Sequence, residues 1–172
     1  LSDLQEVNLG TSPTAAEPAT AAVGEAFDFL VSIENGASSY ASSSLPSGLL
    51  IDADTGRITG APTQAAVQGV LATIQGENIA GGPISRKILI RINKGTPVLS
   101  LISATSINQG QTLSAATVTG VAKNSVGGTL PGSWAFQSPA TAPGAGANQS
   151  FGVIFSPSDT VNYNSVNGTA LV

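Results

Sequence analysis

Two aspartates at alternate positions are the residues of this sequence whose types and spacing most suggest a metal site. Asp52 and Asp54 lie in the stretch LPSGLLIDADTGRITGAPT, residues 45–63. Alternating carboxylates are typical calcium ligands, so this pair could bind calcium. A calcium loop of the EF-hand type also needs an oxygen ligand at its fifth position and a glutamate at its twelfth, where this chain has Gly56 and Thr63.

The same stretch fits a tight turn between two strands better. Aspartate side chains accept hydrogen bonds from backbone N–H groups two residues further on, and glycine adopts positive φ readily. We predict that Leu49 and Ile51 pack inward, that Asp52 caps the turn and that Ile58 returns to the core. Calcium at Asp52 and Asp54 is the alternative. The favoured hypothesis includes no metal and no cofactor.

Paired carboxylates could also hydrolyse glycosidic bonds. Glu25, Asp28 and Glu34 lie on one predicted strand and its turns, whereas glycosidases hold two carboxyl groups about 5–9 Å apart across a cleft. The chain has no His and no Cys, which excludes a Ser-His-Asp triad, a cysteine nucleophile and a thiolate zinc site. We predict that this chain is not an enzyme.

Lysine and tyrosine offer two further possibilities. An isopeptide cross-link to an Asn or Asp needs a buried lysine, but Lys87 is predicted to face outward and Lys123 to lie in a turn, and burial of an unpaired charge is costly. Tyr163 could stack on a carbohydrate. The pattern favours instead a tyrosine corner, in which the hydroxyl bonds the backbone of a β-sandwich.

Charge and hydropathy limit the class of partner. The net charge is -4 and the isoelectric point about 4.5, and no cluster of basic residues is large enough for the phosphates of a nucleic acid. No apolar run is long enough to span a membrane, and no signal-peptide pattern is present. The first residue is Leu1, which indicates a processed or excised piece of a longer protein.

Alternating apolar residues indicate that short β-strands position all of these side chains. Period-two patterns occur at residues 26–33, 70–75, 84–92, 133–136 and 151–155. Residues 112–119 are also predicted to form a strand. Turn signals roughly every 8–12 residues are typical of an all-β sandwich or barrel.

A composition change at residues 93–97, NKGTP, predicts a domain boundary. Gly and Pro interrupt the strand pattern there, and nine of the ten acidic residues precede residue 93. We predict two domains, 1–94 and 95–172, each about the size of an immunoglobulin-like sandwich. Trp134 is the predicted largest single contributor to the second core.

Two sequence patterns resemble known bacterial Ig-like repeats. The pattern LP-GL-D--TG-I-G-PT, from Leu45 to Thr63, is similar to that of cadherin-like Ig domains of bacterial surface and secreted proteins, and this resemblance covers about residues 18–93. GQTLSAA at 110–116, with SWAF, FSPSDT and NYN, resembles a second Ig-like repeat family over about residues 97–172. Both imply tandem immunoglobulin-like β-sandwich domains.

The resemblance implies a role outside the bacterial cell. We expect a non-catalytic spacer or stalk segment of a cell-surface or secreted protein, such as an adhesin, whose partners are neighbouring Ig-like domains of the same chain. One alternative is a module that binds a glycan or a host or matrix protein through loops at 35–44 or 138–148. Another is an accessory domain of a secreted hydrolase. Neither nucleic acid nor membrane contact is expected.

Overall fold

The computed structural model describes residues 17–33, 37–78 and 81–172, and this part of the chain is all-β. The chain divides into two compact units, Leu1–Asn93 and Lys94–Val172, which we call unit 1 and unit 2. None of the described residues forms a helix with the length and apolar character that a membrane crossing requires.

Unit 1 is built from two β-sheets. Its strands are β1 Glu17–Ala22, β2 Phe27–Leu30, β3 Ala37–Ala41, β4 Leu49–Ile51, β5 Arg57–Gly60, β6 Ala66–Asn78 and β7 Pro83–Asn93. One sheet has the order β1-β7-β6-β3 and the other the order β2-β5-β4. The pairing of β1 with β7 is parallel, and all the other pairings are antiparallel.

Alternating aliphatic residues form the core of unit 1, as the sequence predicts. Ile88, Ile90 and Ile92 of β7 are at most 1% exposed. From the other sheet, Leu49 and Ile58 are buried as expected. The outward residues of β7 include the exposed Lys87 and Arg91, so one face of each strand packs inward and the other meets solvent.

The predicted binding loop at residues 35–44 is in large part a strand, and that prediction is wrong. Residues 34–36 lie outside the described part of the chain, and Ala37–Ala41 forms β3, which pairs with β6. The Ser42 hydroxyl donates to the Thr73 carbonyl at 2.8 Å, and the Thr73 N–H donates to the Ser44 hydroxyl at 2.8 Å. The polar residues of this stretch suggested a loop. Its serines instead form hydrogen bonds with the backbone of the neighbouring strand β6.

Unit 2 contains a two-stranded and a three-stranded sheet. Its strands are β8 Val98–Ala104, β9 Val118–Lys123, β10 Gly132–Phe136, β11 Ser150–Pro157 and β12 Val166–Leu171. The sheets are β8-β9 and β10-β11-β12, with antiparallel pairing throughout. Val153 and Phe155 of β11 are buried at the centre of the larger sheet.

Two predictions for unit 2 need correction. Trp134 is only half-buried, and Phe155, at 1% exposure, is the largest fully buried side chain. The two rings pack with centroids 5.0 Å apart. The predicted strand at 112–119 contains one turn of 3₁₀ helix, Leu113–Ala115, and β9 begins only at Val118.

The 3₁₀ turn has a tertiary cause that a local pattern does not reveal. The N–H groups of Leu113 and Ser114 donate to the carbonyls of Thr141 and Pro139, each at 2.9 Å. These bonds hold the turn against the distant segment 138–148 while the Leu113 side chain enters the core at 1% exposure. In this segment these two hydrogen bonds take the place of the regular backbone hydrogen bonds between paired β-strands.

Candidate functional site

The turn around Asp52 connects β4 to β5 and uses the aspartate for backbone capping. One carboxylate oxygen of Asp52, Oδ1, accepts from the N–H groups of Asp54 and Thr55 at 3.1 and 2.8 Å, and from the Thr55 hydroxyl at 2.7 Å. The Asp52 N–H in turn donates to the Arg57 carbonyl at 2.9 Å. This is the predicted turn, and its carboxylate oxygen is already occupied by donors from the chain.

These hydrogen bonds lower the pKa of Asp52. The hydrogen bond from the Thr55 hydroxyl has the largest effect and that from the Thr55 N–H the next. Both stabilise the charged carboxylate, so the pKa of Asp52 lies below its ordinary value of 3.8. Because the pKa is lower in the folded chain, the stabilisation of the turn is present above pH 4. It is lost as the pH falls through the lowered pKa, when the carboxylate becomes protonated.

The glycines of the motif permit backbone contacts that no side chain would allow. Gly48 and Gly60 have φ of +90° and +129°, and a Cβ on either would overlap a carbonyl oxygen of the facing segment. A Cβ on Gly56 would lie 2.6 Å from the Tyr40 ring. Pro62 is fully buried, and its carbonyl accepts from the Gly24 N–H at 2.9 Å. The motif residues therefore close the sandwich.

Two of the three carboxylates considered for hydrolysis, Glu25 and Asp28, lie in the described part of the chain. Asp28 forms a bidentate ion pair with Arg57, with Nε to Oδ1 at 2.7 Å and Nη2 to Oδ2 at 2.5 Å. The hydrogen bond from Arg57 lowers the pKa of Asp28, so this carboxyl is held as an anion. Glu25 is exposed, and Glu34 lies outside the described residues. General acid catalysis needs a raised carboxyl pKa instead.

A second aspartate turn, in unit 2, was not singled out in the sequence. The Asp159 carboxylate accepts from the Asn162 side-chain amide at 2.7 Å and from the Asn162 N–H at 3.1 Å. The first of these bonds has the largest part in lowering the pKa of Asp159. The spacing Asp-x-x-Asn, whose Asn is the first residue of NYN, was the available signal. Lys94 donates to the Thr160 carbonyl of the same turn at 2.6 Å.

The lysines and Tyr163 take structural or solvent-facing positions. Lys87 and Lys123 are both exposed, and Lys123 ends β9 instead of lying in a turn as predicted. Tyr163 is half-buried, and the hydrogen bonds that the structure gives it come from its backbone, with its N–H donating to the Asp159 carbonyl at 3.1 Å. The tyrosine corner, which requires the hydroxyl, is not part of this arrangement.

An open cleft of about 520 Å³ lies at one end of unit 2, beside the predicted loop 138–148. Segments 104–109, 143–149 and 171–172 line it, with Asn108 and Ile107 among the residues. The Gln149 amide donates to the carbonyls of Gly144 and Gly146 at 2.7 and 3.3 Å, which shapes the loop. Asn148 has a positive φ of 61°. Amide groups and small apolar surfaces in the cleft could contact a neutral polar ligand.

The described side chains do not assemble a metal centre. Within residues 17–33, 37–78 and 81–172, no three acidic side chains gather closely enough to hold a metal ion. Asp52 and Asp54 are neighbours in one turn, and only Asp52 accepts the hydrogen bonds that form it. The geometry of this turn is thus suited to capping.

Residues 10–93 match the model of the family described as Putative Ig domain, He_PIG. The match ends at Asn93, which is also the last residue of unit 1. No curated protein matches the chain. The matched residues therefore lie within unit 1, and none of them belongs to unit 2.

The solved structures to which this chain shows similarity include two proteins of Bacteroides fragilis NCTC 9343. One is described as a putative alpha-galactosidase, with 25% identity, 50% of this chain and 19% of that chain covered, and a TM-score of 0.39. The other is described as a putative alpha-galactosidase/melibiase, with 24% identity and a TM-score of 0.39. That match covers 56% of this chain and 20% of the other. This chain spans about a fifth of each of them. Immunoglobulin domains 1–4 of Sidekick-1 align at 13% identity over 92% of this chain and 49% of theirs, with a TM-score of 0.33.

Proposed function

We infer that this chain is a non-catalytic structural segment of a bacterial cell-surface or secreted protein, in which tandem Ig-like sandwiches act as a spacer or stalk. Its partners in this role are the adjoining domains of the same polypeptide. The role includes no reaction and no cofactor. We propose that this segment is located outside the cell.

One observation carries this proposal: the residues that could do chemistry are used to build the sandwich. Asp52 caps a turn, Asp28 pairs with Arg57, and the motif glycines allow strands to approach closely. A binding or catalytic site presents such groups to a ligand instead, with some of their hydrogen-bonding capacity unfilled. A motif whose polar atoms face its own backbone supports a structural role.

We propose that unit 2 is a second Ig-like repeat of the GQTLS/NYN kind. Leu113 of GQTLS is buried in the core with Phe136 and Val153. The NYN segment begins at Asn162, whose side-chain amide donates to the Asp159 carboxylate, and Asn164 donates to the Gly95 carbonyl at 2.9 Å. The motif residues of this unit therefore also contribute to packing and turns, which supports the tandem arrangement.

The cleft in unit 2 favours a second candidate, a module that binds a glycan or a protein. Its volume of about 520 Å³ is within the range of small-ligand pockets, about 300–1,000 Å³. The predicted loop 138–148 contributes part of its wall. The remaining alternative, an accessory domain of a secreted hydrolase, stays a prediction.

A binding screen separates the two candidates. We expect the purified chain to show no saturable binding on a panel of glycans and extracellular-matrix proteins. Saturable binding that Gly144→Phe removes would contradict the spacer role, since a Cβ at Gly144 meets nothing within 4 Å and the ring can occupy the cleft. Val126→Phe, at a residue already 65% exposed in another turn of unit 2, is the matched control.

A further inference from the structure

The two outer faces of unit 1 differ in charge and both expose leucines. On the sheet β1-β7-β6-β3, Leu71 and Leu89 lie directly opposite each other in register, and Leu71 is 48% exposed. Lys87 and Arg91 project from the same face of β7 on either side of Leu89. We call these four residues the basic face. Among the described residues, Glu77 at one end of β6 also lies on this face. Its negative charge offsets one of the positive charges of Lys87 and Arg91, so the net charge of the face is +1.

The other outer face, on the sheet β2-β5-β4, is acidic. Leu30 and Leu50 are 61% and 75% exposed there. Asp28 and Arg57 neutralise each other as an ion pair. The adjoining turn adds Asp52 and Asp54, both exposed. We call Leu30, Leu50, Thr59, Asp52 and Asp54 the acidic face. Within the described part of the chain neither Asp52 nor Asp54 forms an ion pair, so these two carboxylates give the face a net charge of -2.

We propose that the basic face of one copy of this chain docks on the acidic face of a second copy. Each face presents an apolar centre beside charges of one predominant sign, and the signs are opposite. The inner faces of the two sheets pack together in the core, so the two outer faces point away from each other. A single copy therefore cannot satisfy both faces by itself, and association through them is head-to-tail.

The size of the faces sets the strength of this contact. The smaller face limits the contact: the three strands of β2-β5-β4, spaced about 4.8 Å apart, give a face about 14 Å wide. A patch of this width and similar length buries on the order of 200 Å² per copy, about a quarter of a standard interface. The association is therefore weak, and salt weakens it further. Because a head-to-tail contact leaves one free face at each end of the assembly, further copies can add, and the mass rises with concentration beyond that of a dimer.

Sedimentation and light scattering of the intact chain test the proposal. At roughly 1 mM protein and low salt, the weight-average mass is expected to rise above the 17.0 kDa of the monomer, and to fall back in 0.5 M salt. Lys87→Glu/Arg91→Glu makes both faces acidic, and Asp54→Lys/Thr59→Lys makes the acidic face basic. Each variant alone is expected to associate at least tenfold more weakly than the natural chain.

Mixing the two variants gives the decisive readout. Equal amounts restore opposite charges on facing copies, so the mass is expected to rise again, which a misfolded variant could not produce. Lys123→Glu/Val126→Glu, which adds negative charge on exposed residues of unit 2, is expected to leave association unchanged. A natural chain that stays at 17.0 kDa, a face variant that associates normally, or a mixture that stays monomeric would overturn the proposal. This result is independent of the glycan and matrix screen.

Discussion

Gly60→Ala strongly destabilises unit 1. Gly60 has φ of +129°, which alanine adopts only with strain, and a Cβ there overlaps the Gly48 carbonyl oxygen, a backbone atom that cannot rotate away. The strain alone costs about 1–3 kcal/mol, and the overlap adds to it. At roughly 4–8 °C per kcal/mol for a domain of this size, the melting temperature of unit 1 is expected to fall by more than about 10 °C.

Gly81→Ala is the matched control for this substitution. Gly81 also has positive φ, +80°, but a Cβ there meets nothing within 4 Å. Its cost is then that of backbone strain, about 1–2 kcal/mol. Calorimetry of both variants measures the difference, while the fluorescence of Trp134, the single tryptophan of the chain, follows unit 2 separately. Equal losses in the two variants would show that the close approach at Gly60 contributes nothing.

Phe155→Ala is expected to unfold unit 2 at or near ambient temperature. Phe155 is 1% exposed and packs against the Trp134 ring. Removing a buried phenylalanine ring costs about 3–5 kcal/mol. A domain of about 80 residues has a total stability of roughly 4–12 kcal/mol, so this loss removes much or all of it.

The Trp134 emission spectrum and far-ultraviolet circular dichroism detect this unfolding. Trp134→Ala is expected to cost less than Phe155→Ala, because Trp134 is only half-buried. Val161→Ala, at a residue 69% exposed, is the control and should leave the melting curve unchanged. A Phe155→Ala chain that melts like the natural one would contradict the assignment of the core.

Local patterns in the sequence predicted the parts of the fold that depend on near neighbours. The alternation of Ile88, Ile90 and Ile92 follows directly from the period of a strand, and all three are buried. The Asp52 turn was predictable because its hydrogen bonds join residues two and three apart. In both cases the determining contacts are set by the chemistry of a few consecutive residues.

Features that depend on distant segments were missed or misread. The 3₁₀ turn at Leu113–Ala115 is held by carbonyls of Pro139 and Thr141. The loop predicted at 35–44 contains β3, because Ala37–Ala41 pairs with the distant strand β6, to which Ser42 and Ser44 also form hydrogen bonds. Trp134 was ranked by size, but its burial depends on β9 and β11. The cleft of unit 2 combines three separated segments, so only part of its wall, residues 138–148, could be suggested from the sequence.

Thermal unfolding in calcium and in a chelator tests most directly the central claim that the Asp52 motif is structural. We predict that the melting temperature of unit 1 at pH 7 is the same in millimolar calcium as in EDTA. Asp52→Ala should lower it equally in both, because the mutation removes the acceptor for Asp54 and Thr55. A rise of several degrees in calcium for the natural chain, absent in Asp52→Ala, would contradict the account and assign Asp52 to a calcium site.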